Sequence, residues 1–396
     1  MNAFKLADNV YSVGVINPTV RVFDIIMRAE YGTTYNAYLI TGKKNILIDT
    51  VHEIFFEDYI DNIESIISVD QIDYVIMNHT EPDHSGSLKR LLEMNPNITV
   101  IASMGGSRFL PNLLNREYKS IVAKDGDTLD TGIGELKFVI APNLHWPDSM
   151  FTYFADKKMI FTCDFLGTHY AENMIWDKKI RFKDKYEEAF RHYYDCIFAP
   201  FKSFVLAGLD KIEALDVEMA CTSHGPILTE SLSSRMALYR AWSEKNENTG
   251  KKRVAIVFAS AYGYTQQLAN EAYEELKNEY TVELFDAVEA DTAMIAHAVQ
   301  EADAVLIGSC TINRDAVKPI WDVVTSLDAI NTPKTPAGVF GSYGWTGEAV
   351  PMLCERLKCL KYNVAGEGLK VQFRPRESIL KDMRAYARTV VSLMKE

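Results

Sequence analysis

A dense group of potential metal ligands lies in the segment Asn78–Gly86, whose sequence is NHTEPDHSG. Its metal-binding side chains are His79, Glu81, Asp83 and His84. Imidazole nitrogens and carboxylate oxygens bind transition-metal ions well. Acidic side chains that crowd the end of a predicted strand carry a large cost unless a cation compensates their charge. The segment therefore predicts a metal site.

Three further residues of the same chemical types follow at the ends of predicted strands: His145 in NLHWPDS, Asp164 in FTCDF and His224 in TSHGP. These seven candidates come from four separate loops and exceed the number of ligands that one ion needs. A carboxylate such as Asp164 can bridge two ions, which lie about 3.5–4 Å apart in two-metal sites. The remaining histidines are assigned to surface or structural positions: His52, His169, His192 and His297.

A second set of loops could hold a phosphate and a flat ring. The loop SAYGYT combines hydroxyls, the conformationally free Gly263 and amides at a helix N-terminus, which together suit an anion. It has neither a P-loop lysine nor a GxGxxG pattern, so flavin mononucleotide (FMN) is favoured over ATP and dinucleotides. Two more loops follow later strands. GSCTINRD, which begins at Gly308, is small and polar enough to run along the edge of a flat ring, and GSYGWTG, from Gly341 to Gly347, carries aromatic side chains that could stack on it. Glycines and serines also make ordinary tight loops, but three such loops at three strand ends favour a binding site.

The predicted FMN-contacting residues come from all three loops. They are Ser260, Ala261, Tyr262, Gly263, Tyr264, Thr265, Ser309, Cys310, Thr311, Ile312, Asn313, Ser342, Tyr343, Gly344, Trp345 and Gly347.

These residues must be positioned by two halves that differ in their hydrophobic pattern. Up to about residue 245, short apolar or alternating runs such as YVIMNH, LKFVIAP and MIFTCD predict strands, with helices packed outside the sheets. A long helical stretch is predicted over residues 184–212. The polar segment Ser243–Lys252 reads as an interdomain linker. Residues 251–396 then alternate five strands with five helices, which predicts a doubly wound, five-stranded parallel sheet. The predicted domains are residues 1–245 and 251–396.

The bulk composition excludes several classes of protein. The net charge of −12 argues against binding to nucleic acid, because a basic patch would be needed to neutralise phosphates. No apolar run is long enough to cross a bilayer, and no signal peptide is recognisable, so a cytoplasmic location is expected. The six cysteines are scattered without a CxxC pair, which leaves no place for a built-in rubredoxin-type centre.

The ligand spacing resembles that of the metallo-β-lactamase superfamily, an αβ/βα sandwich. Hydrolytic members carry His-x-His-x-Asp-His and bind zinc, whereas Glu81 replaces the second histidine in this sequence. A carboxylate hardens the ligand set, which favours iron over zinc. The second half resembles flavodoxin with its FMN site. With the motifs GTTYNAYL, LHWPDSM and SHG, the whole chain resembles the flavodiiron proteins.

This resemblance implies a metal site, an activity and an assembly. One iron would be bound by His79, Glu81 and His145, the other by Asp83, His84 and His224, with Asp164 as the bridge. The implied reaction is reduction of O2 to water, of NO to N2O, or both. FMN would pass electrons to the iron pair of the facing subunit in a head-to-tail dimer, which could further assemble into a tetramer. The implied external donor is rubredoxin or reduced deazaflavin.

Two residues are predicted to act near the substrate. Related proteins often have a histidine after the pattern RxF, where this sequence has Asp24. Tyr193 and Tyr194 of HYYD could also supply a hydroxyl behind the ligands, and Tyr194 is the one assigned to the site. The first alternative function is a zinc-dependent hydrolase with a fused flavodoxin domain. The second is an electron carrier whose first domain is structural. Glu81 argues against the hydrolase, and the seven potential ligands argue against the carrier.

Overall fold

The computed structural model describes residues 3–25, 27–244, 250–330 and 334–394. The chain divides into two units, Met1–Glu244 and Lys245–Glu396. The predicted linker Ser243–Lys252 lies in part outside the described residues, and Ser243 itself ends a helix. None of the helices in the described ranges is long and apolar enough to span a membrane.

Short strands dominate the first unit. They are β1 (Phe4–Ala7), β2 (Val10–Ser12), β3 (Val15–Asn17), β4 (Val22–Phe23), β5 (Met27–Arg28), β6 (Thr33–Tyr35), β7 (Tyr38–Ile40), β8 (Ile46–Ile48), β9 (Tyr74–Met77), β10 (Thr99–Ser103), β11 (Lys119–Ala123), β12 (Thr128–Asp130), β13 (Glu135–Ile140), β14 (Met150–Phe154), β15 (Met159–Cys163) and β16 (Met219–Thr222). The helices are α1 (Phe56–Glu64), α2 (Pro82–Ser85), α3 (Leu88–Met94), α4 (Met104–Leu114), α5 (Lys183–Tyr193), α6 (Lys202–Glu213) and α7 (Leu232–Ser243).

Two sheets of the first unit face each other. One has the strand order β1-β2-β7-β8-β9-β10-β11 and the other β12-β13-β14-β15-β16. Side chains alternate along a strand, so Ile76 and Phe161 are buried between the sheets. The opposite face of the first sheet packs with Leu88 of α3, whereas Phe190 and Leu209 of α5 and α6 belong to the cluster that covers the second sheet. The predicted αβ/βα sandwich is confirmed.

The predicted helix over residues 184–212 is two helices in the structure. α5 ends at Tyr193, a π-helical turn covers Tyr194–Phe198, and a 3₁₀ turn covers Ala199–Phe201 before α6 begins. Pro200 cannot donate a backbone hydrogen bond inside a continuous helix, which explains the break. The interruption matters for the site because it redirects the aromatic residues of the segment.

The second unit is a doubly wound sheet, as predicted. Its strands are β17 (Arg253–Ala259), β18 (Thr281–Asp286), β19 (Ala304–Ser309), β20 (Thr311–Ile312), β21 (Asp315–Ala316), β22 (Pro336–Tyr343), β23 (Asn363–Val364) and β24 (Leu369–Gln372). Its helices are α8 (Tyr264–Leu276), α9 (Thr292–Gln300), α10 (Lys318–Thr325), α11 (Ala349–Cys359) and α12 (Glu377–Ser392).

The main sheet of this unit is parallel with the order β18-β17-β19-β22, and its fifth position is shared by β23 and β24, which both pair with β22. The loops after β17, β19 and β22 lie at the same edge because the carboxyl ends of parallel strands meet there. These are the three loops predicted to bind FMN.

Candidate functional site

The metal-ligand candidates of the first unit lie where strands of both sheets end. Asn78 follows β9 and links the two sheets by hydrogen bonds. Its side-chain NH2 group donates to the Phe161 carbonyl, and its side-chain oxygen accepts from the Thr152 hydroxyl. The one-turn helix α2 comes next and carries Asp83 and His84. The motif therefore begins at a point that is anchored to both sheets.

One group of ligand candidates forms around Glu81. The Nε2 atoms of His79 and His145 lie 3.1 and 3.0 Å from Glu81 Oε2. The same nitrogens lie 3.6 and 3.5 Å from Asp164 Oδ2. Both imidazoles thus present Nε2 to the same two carboxylates.

A second group forms around Asp83. The Nε2 atoms of His84 and His224 lie 3.2 and 3.0 Å from Asp83 Oδ2. They lie 3.1 and 3.4 Å from Asp164 Oδ1. Asp164 therefore turns one oxygen to each group, and His84 points its Nε2 into the cluster.

The spacing and chemistry of both groups fit metal ions. Ligand atoms held about 2.0–2.2 Å from an ion in a tetrahedral arrangement stand roughly 3.3–3.6 Å apart, close to the separations in both groups. Three buried atoms of these ligands make no hydrogen bond of acceptable geometry within the described residues: Asp83 Oδ1, His84 Nε2 and Asp164 Oδ2. Buried polar atoms are rarely left in this state. Two imidazoles and two carboxylates at each position suit iron.

A layer of residues behind the cluster, which the sequence analysis did not assign, orients the imidazoles. Asp148 Oδ2 lies 3.1 Å from His79 Nδ1 and accepts from the Thr80 amide and hydroxyl at 2.7 Å each. His224 Nδ1 donates to the Thr34 carbonyl at 2.6 Å. Each contact holds Nδ1 on the side of the ring that faces away from the cluster and leaves Nε2 free to bind a metal. Asp148 lies in the motif LHWPDSM and Thr34 in the motif GTTYNAYL, and these motifs were the sequence signal by which both partners could have been found.

Substitution of Asp148 by asparagine should weaken metal binding by about 10–100-fold, the usual effect of losing a partner behind a ligand. An amide oxygen could still accept from His79 and Thr80, but the substitution removes the negative charge beside His79 and places an NH2 group where the buried Oδ1 has no partner among the described residues. Competition with a chelator measures the affinity. Unchanged affinity would show that Asp148 does not orient His79.

The electrostatics of the cluster predict proton release on metal binding. Burial opposes the charge of His84, but the carboxylates of Asp83 and Asp164 together outweigh it and raise the pKa of His84 to about 10. Burial also opposes the charge of His145, but the carboxylates of Asp164 and Glu81 together outweigh it and raise its pKa to about 9. Both imidazoles of the metal-free protein therefore hold protons at neutral pH.

Metal affinity should consequently fall as pH is lowered, because a metal ion must displace these protons. Calorimetric titration of metal-free protein in buffers of different ionisation enthalpy counts the protons released. Binding that releases no protons and does not change with pH would contradict the raised pKa values.

Asp24 lies at the edge of the cluster, on the turn between β4 and β5. Its carboxyl group interacts with the carboxylate of Glu81. Partial burial and the nearby carboxylates of Glu81 and Asp83 raise the pKa of Asp24 to about 6. The structure therefore places the predicted pocket residue beside the candidate ligands.

Tyr194 does not reach the cluster, which corrects its assignment as the residue behind the ligands. Its hydroxyl pairs with Ser243 Oγ at 2.8 Å, whereas the hydroxyl of Tyr193 donates to Asp164 Oδ1 at 3.2 Å. Adjacent residues of a helix point about 100° apart, since there are 3.6 residues per turn. Only one of the two tyrosines can face the cluster, and it is Tyr193.

His169 also lies against the cluster, although it was assigned to a structural position. Its Nδ1 pairs with the Thr33 hydroxyl at 2.9 Å, and its ring centroid lies 5.0 Å from that of His224. Burial, and then the neighbouring His224, hold the pKa of His169 well below its ordinary value. A lone histidine in the sequence carried no signal for this position.

The loops of the second unit fit a phosphate and a flavin ring. Gly263 has φ +78° and precedes α8, so the loop presents the amides at the start of that helix. The hydroxyls of Thr265 and Ser342 lie 2.8 Å apart, and the buried Ser260 Oγ has no partner among the described residues. Such an unpaired hydroxyl can donate to a phosphate oxygen.

Exposed aromatic rings lie on the same loops as these hydroxyls. Tyr262 and Trp345 are 85% and 89% exposed, and rings of this kind can stack on isoalloxazine. The residues Thr311 and Ile312 form half of the small β20–β21 hairpin, and Ser309 Oγ accepts from the Val317 amide. The Ser309 hydroxyl oxygen is therefore already engaged in a local hydrogen bond.

The two ligand groups at the strand ends of an αβ/βα sandwich, together with the phosphate loop of a doubly wound sheet, define a metallo-β-lactamase-like protein fused to a flavodoxin-like domain. Comparison with known families agrees, since residues 33–225 match the ODP family beta lactamase and residues 256–386 match flavodoxin. The chain belongs to the flavo-diiron protein family. Membership implies FMN and a diiron centre as cofactors.

Several relatives and solved structures are similar over nearly the whole chain. The flavo-diiron protein FprA2 of Clostridium acetobutylicum is 50% identical, covering 96% of this chain and 97% of that protein. A type A flavoprotein of Rhodobacter capsulatus is 34% identical, covering 97% and 89%. The structure of rubredoxin oxygen:oxidoreductase from Desulfovibrio gigas has a TM-score of 0.70 at 27% identity, covering 99% and 98%.

Proposed function

We propose that this protein is an oxidoreductase that reduces O2 to water, NO to N2O, or both. The observation that carries the proposal is Asp164, whose two oxygens face two separate ligand groups, one of which contains the carboxylate of Glu81. When bound, two ferrous ions and reduced FMN can together supply the four electrons that O2 reduction requires. We assign the diiron centre to residues 1–245 and FMN to residues 251–396.

The two ligand groups are the proposed iron sites. One iron is assigned to His79, Glu81 and His145 and the other to Asp83, His84 and His224, with Asp164 shared. Supporting this assignment, the buried members are at most 4% exposed: His79, Asp83, His84, Asp164 and His224. Burial excludes bulk water and strengthens electrostatic interactions at the site.

Asp24 is the proposed substrate-facing residue. Its electrostatic interactions with Glu81 and Asp83 support this role. Its carboxyl oxygens can accept a hydrogen bond from an approaching molecule or, when protonated, donate one. Bound cations would lower the raised pKa of this group, since they compensate the neighbouring negative charges.

The proposed electron donor and assembly are carried over from the family. The Desulfovibrio gigas protein is named for rubredoxin as its partner, and a separate donor such as rubredoxin or reduced deazaflavin is proposed for this chain. A head-to-tail homodimer, alone or paired into a tetramer, would bring FMN of one subunit to the diiron centre of the other. A cytoplasmic location completes the proposal.

Metal analysis combined with a flavin absorbance spectrum tests the function. Two iron ions and one FMN per chain are expected, with turnover of O2 or NO when a reduced donor is supplied. Two zinc ions without FMN would instead favour the zinc hydrolase.

Substitution of Asp24 by histidine tests the pocket. O2 and NO turnover should be compared in the variant and the parent with one donor under identical conditions. The ratio of the two rates is expected to change, because the variant replaces a carboxylate with an imidazole beside Glu81, while iron and FMN contents should not. An unchanged ratio would show that Asp24 does not act in the substrate pocket. The exposed Asp130 offers a matched control, since Asp130→His should leave the ratio of the two rates unchanged.

A further inference from the structure

A continuous run of aromatic side chains begins at the candidate metal centre. The hydroxyl of Tyr193 donates to Asp164 Oδ1, and the Tyr193 ring packs against Phe198 with 6.0 Å between centroids. Phe198 lies 5.6 Å from Tyr239, which lies 5.0 Å from Tyr194. All four rings are at most 2% exposed.

The run ends at the surface of the first unit. Trp242 lies 5.0 Å from Tyr194 and 6.0 Å from Tyr239. Its side chain is only partly buried, and the guanidinium of the exposed Arg191 lies over its ring at 4.6 Å. An electron-rich indole at the surface is thus connected by ring contacts to the carboxylate shared by both ligand groups.

Two features go beyond ordinary aromatic packing, which is common in protein cores. Tyr239 is fully buried, yet its hydroxyl has no hydrogen-bond partner among the residues that the structure describes. Phenylalanine would fill nearly the same space without leaving a polar atom unpaired. In addition, Tyr193 contacts Asp164 directly, and the segment between Tyr193 and Phe198 is π-helical, a conformation often found at functional sites.

We propose that this run carries oxidising equivalents from the metal centre to Trp242. The inference rests on the proposed function, because a centre that reduces O2 would keep an oxidising equivalent whenever fewer than four electrons reached it. Phenol and indole rings lose an electron more readily than most other side chains. Transfer between neighbouring rings is fast because electron tunnelling weakens exponentially with distance. Phe198 bridges the gap between Tyr193 and Tyr239 without being oxidised.

Oxidation of Tyr193 and of Trp242 involves one electron and one proton of each side chain. Tyr193 would give one electron to the iron-loaded centre, and its phenolic proton would stay within the hydrogen bond to Asp164 Oδ1, whose carboxylate is needed to hold iron. One electron then moves from Trp242 through Tyr194 and Tyr239 to Tyr193, which recovers its proton. Trp242 loses its indole proton to water. A thiol in solution returns one electron and one proton to Trp242 and becomes a thiyl radical.

The proposed electron transfer along the aromatic run can be tested by adding hydrogen peroxide to the iron-loaded, FMN-containing protein without an electron donor. Electron paramagnetic resonance should detect a tryptophanyl radical, and mass spectrometry should find oxygen inserted at Trp242. In Trp242→Phe both signals should disappear, oxidation should move to Tyr193 and Tyr239, and bound iron should be lost severalfold faster. Tyr239→Phe, which keeps the ring but removes the phenol, should also suppress oxidation of Trp242.

Trp176→Phe is the matched control. Trp176 is a partly buried tryptophan of the same unit that packs on Phe4 at 6.4 Å and takes no part in the run. It should behave like the parent, and metal-free protein should show no oxidation at Trp242. Equal oxidation patterns and equal rates of iron loss in the Trp242 and Trp176 variants would overturn the proposal.

Gas turnover by the same parent preparation separates this inference from the proposed function. Protein that binds iron and oxidises Trp242 with peroxide, but reduces neither gas, would contradict the reductase function and support the run. Protein that reduces O2 or NO without oxidation of Trp242 by peroxide would support the function and contradict the run.

Discussion

Substitution of Asp164 by asparagine is expected to abolish binding of both metal ions while FMN binding persists. Asp164 Oδ2 faces the group around Glu81, and Asp164 Oδ1 faces the group around Asp83. An amide removes the negative charge and keeps only one oxygen. Loss of residues behind metal ligands costs about 10–100-fold in affinity, so loss of a shared ligand should cost more than roughly 100-fold at both positions. Metal analysis and chelator competition measure the effect.

Two other substitutions serve as controls for the Asp164 variant. Asp177 is likewise a buried carboxylate, and it accepts hydrogen bonds from the amides and hydroxyls of Thr229 and Ser231. Asp177→Asn should lower thermal stability without changing the metal content. Thr265→Val should lower FMN content and spare the metals. If Asp164→Asn kept one ion at full affinity, Asp164 would belong to one group alone.

The positions of the candidate ligands could be predicted because the strand topology largely determines where the loops that carry them lie. Loops that follow neighbouring strands meet at one edge of a sheet, so polar residues just after strands converge whatever the details of the helices. His145, Asp164 and His224 are each separated from the first motif by many residues, yet all reach it. The same reasoning placed the three loops that are predicted to bind FMN at one edge of the second sheet.

What the sequence did not reveal depends on local backbone conformation. Choosing Tyr193 over Tyr194 requires the orientation of a single helical turn, and the break after α5 lies outside simple periodicity. Asp148 and His169 were missed for a different reason. A residue behind a ligand has no characteristic spacing from it, because its contact is made across the fold through one ring nitrogen or one neighbouring ring.

Substitution of Glu81 by histidine should shift metal selectivity from iron towards zinc. Glu81 Oε2 lies within 3.1 Å of the Nε2 atoms of both His79 and His145. An imidazole in its place would give three nitrogens and one shared carboxylate, a softer set with less negative charge that suits zinc better. The ratio of bound iron to zinc should fall roughly 10-fold or more, the scale on which even residues behind ligands act. Reductase turnover should fall with it, and FMN content should not.

The variant Glu81→Gln separates charge from geometry in this prediction. Glutamine keeps the size and one oxygen of the parent side chain but removes its charge. If charge decides the selectivity, Glu81→Gln should lose iron as Glu81→His does. If the carboxylate acts mainly through the position of one oxygen, Glu81→Gln should retain much of its iron while Glu81→His gains zinc. Unchanged iron content and turnover in Glu81→His would show that Glu81 does not set the choice of metal, and the preference for iron would then have to come from Asp83, Asp164 and the residues behind them.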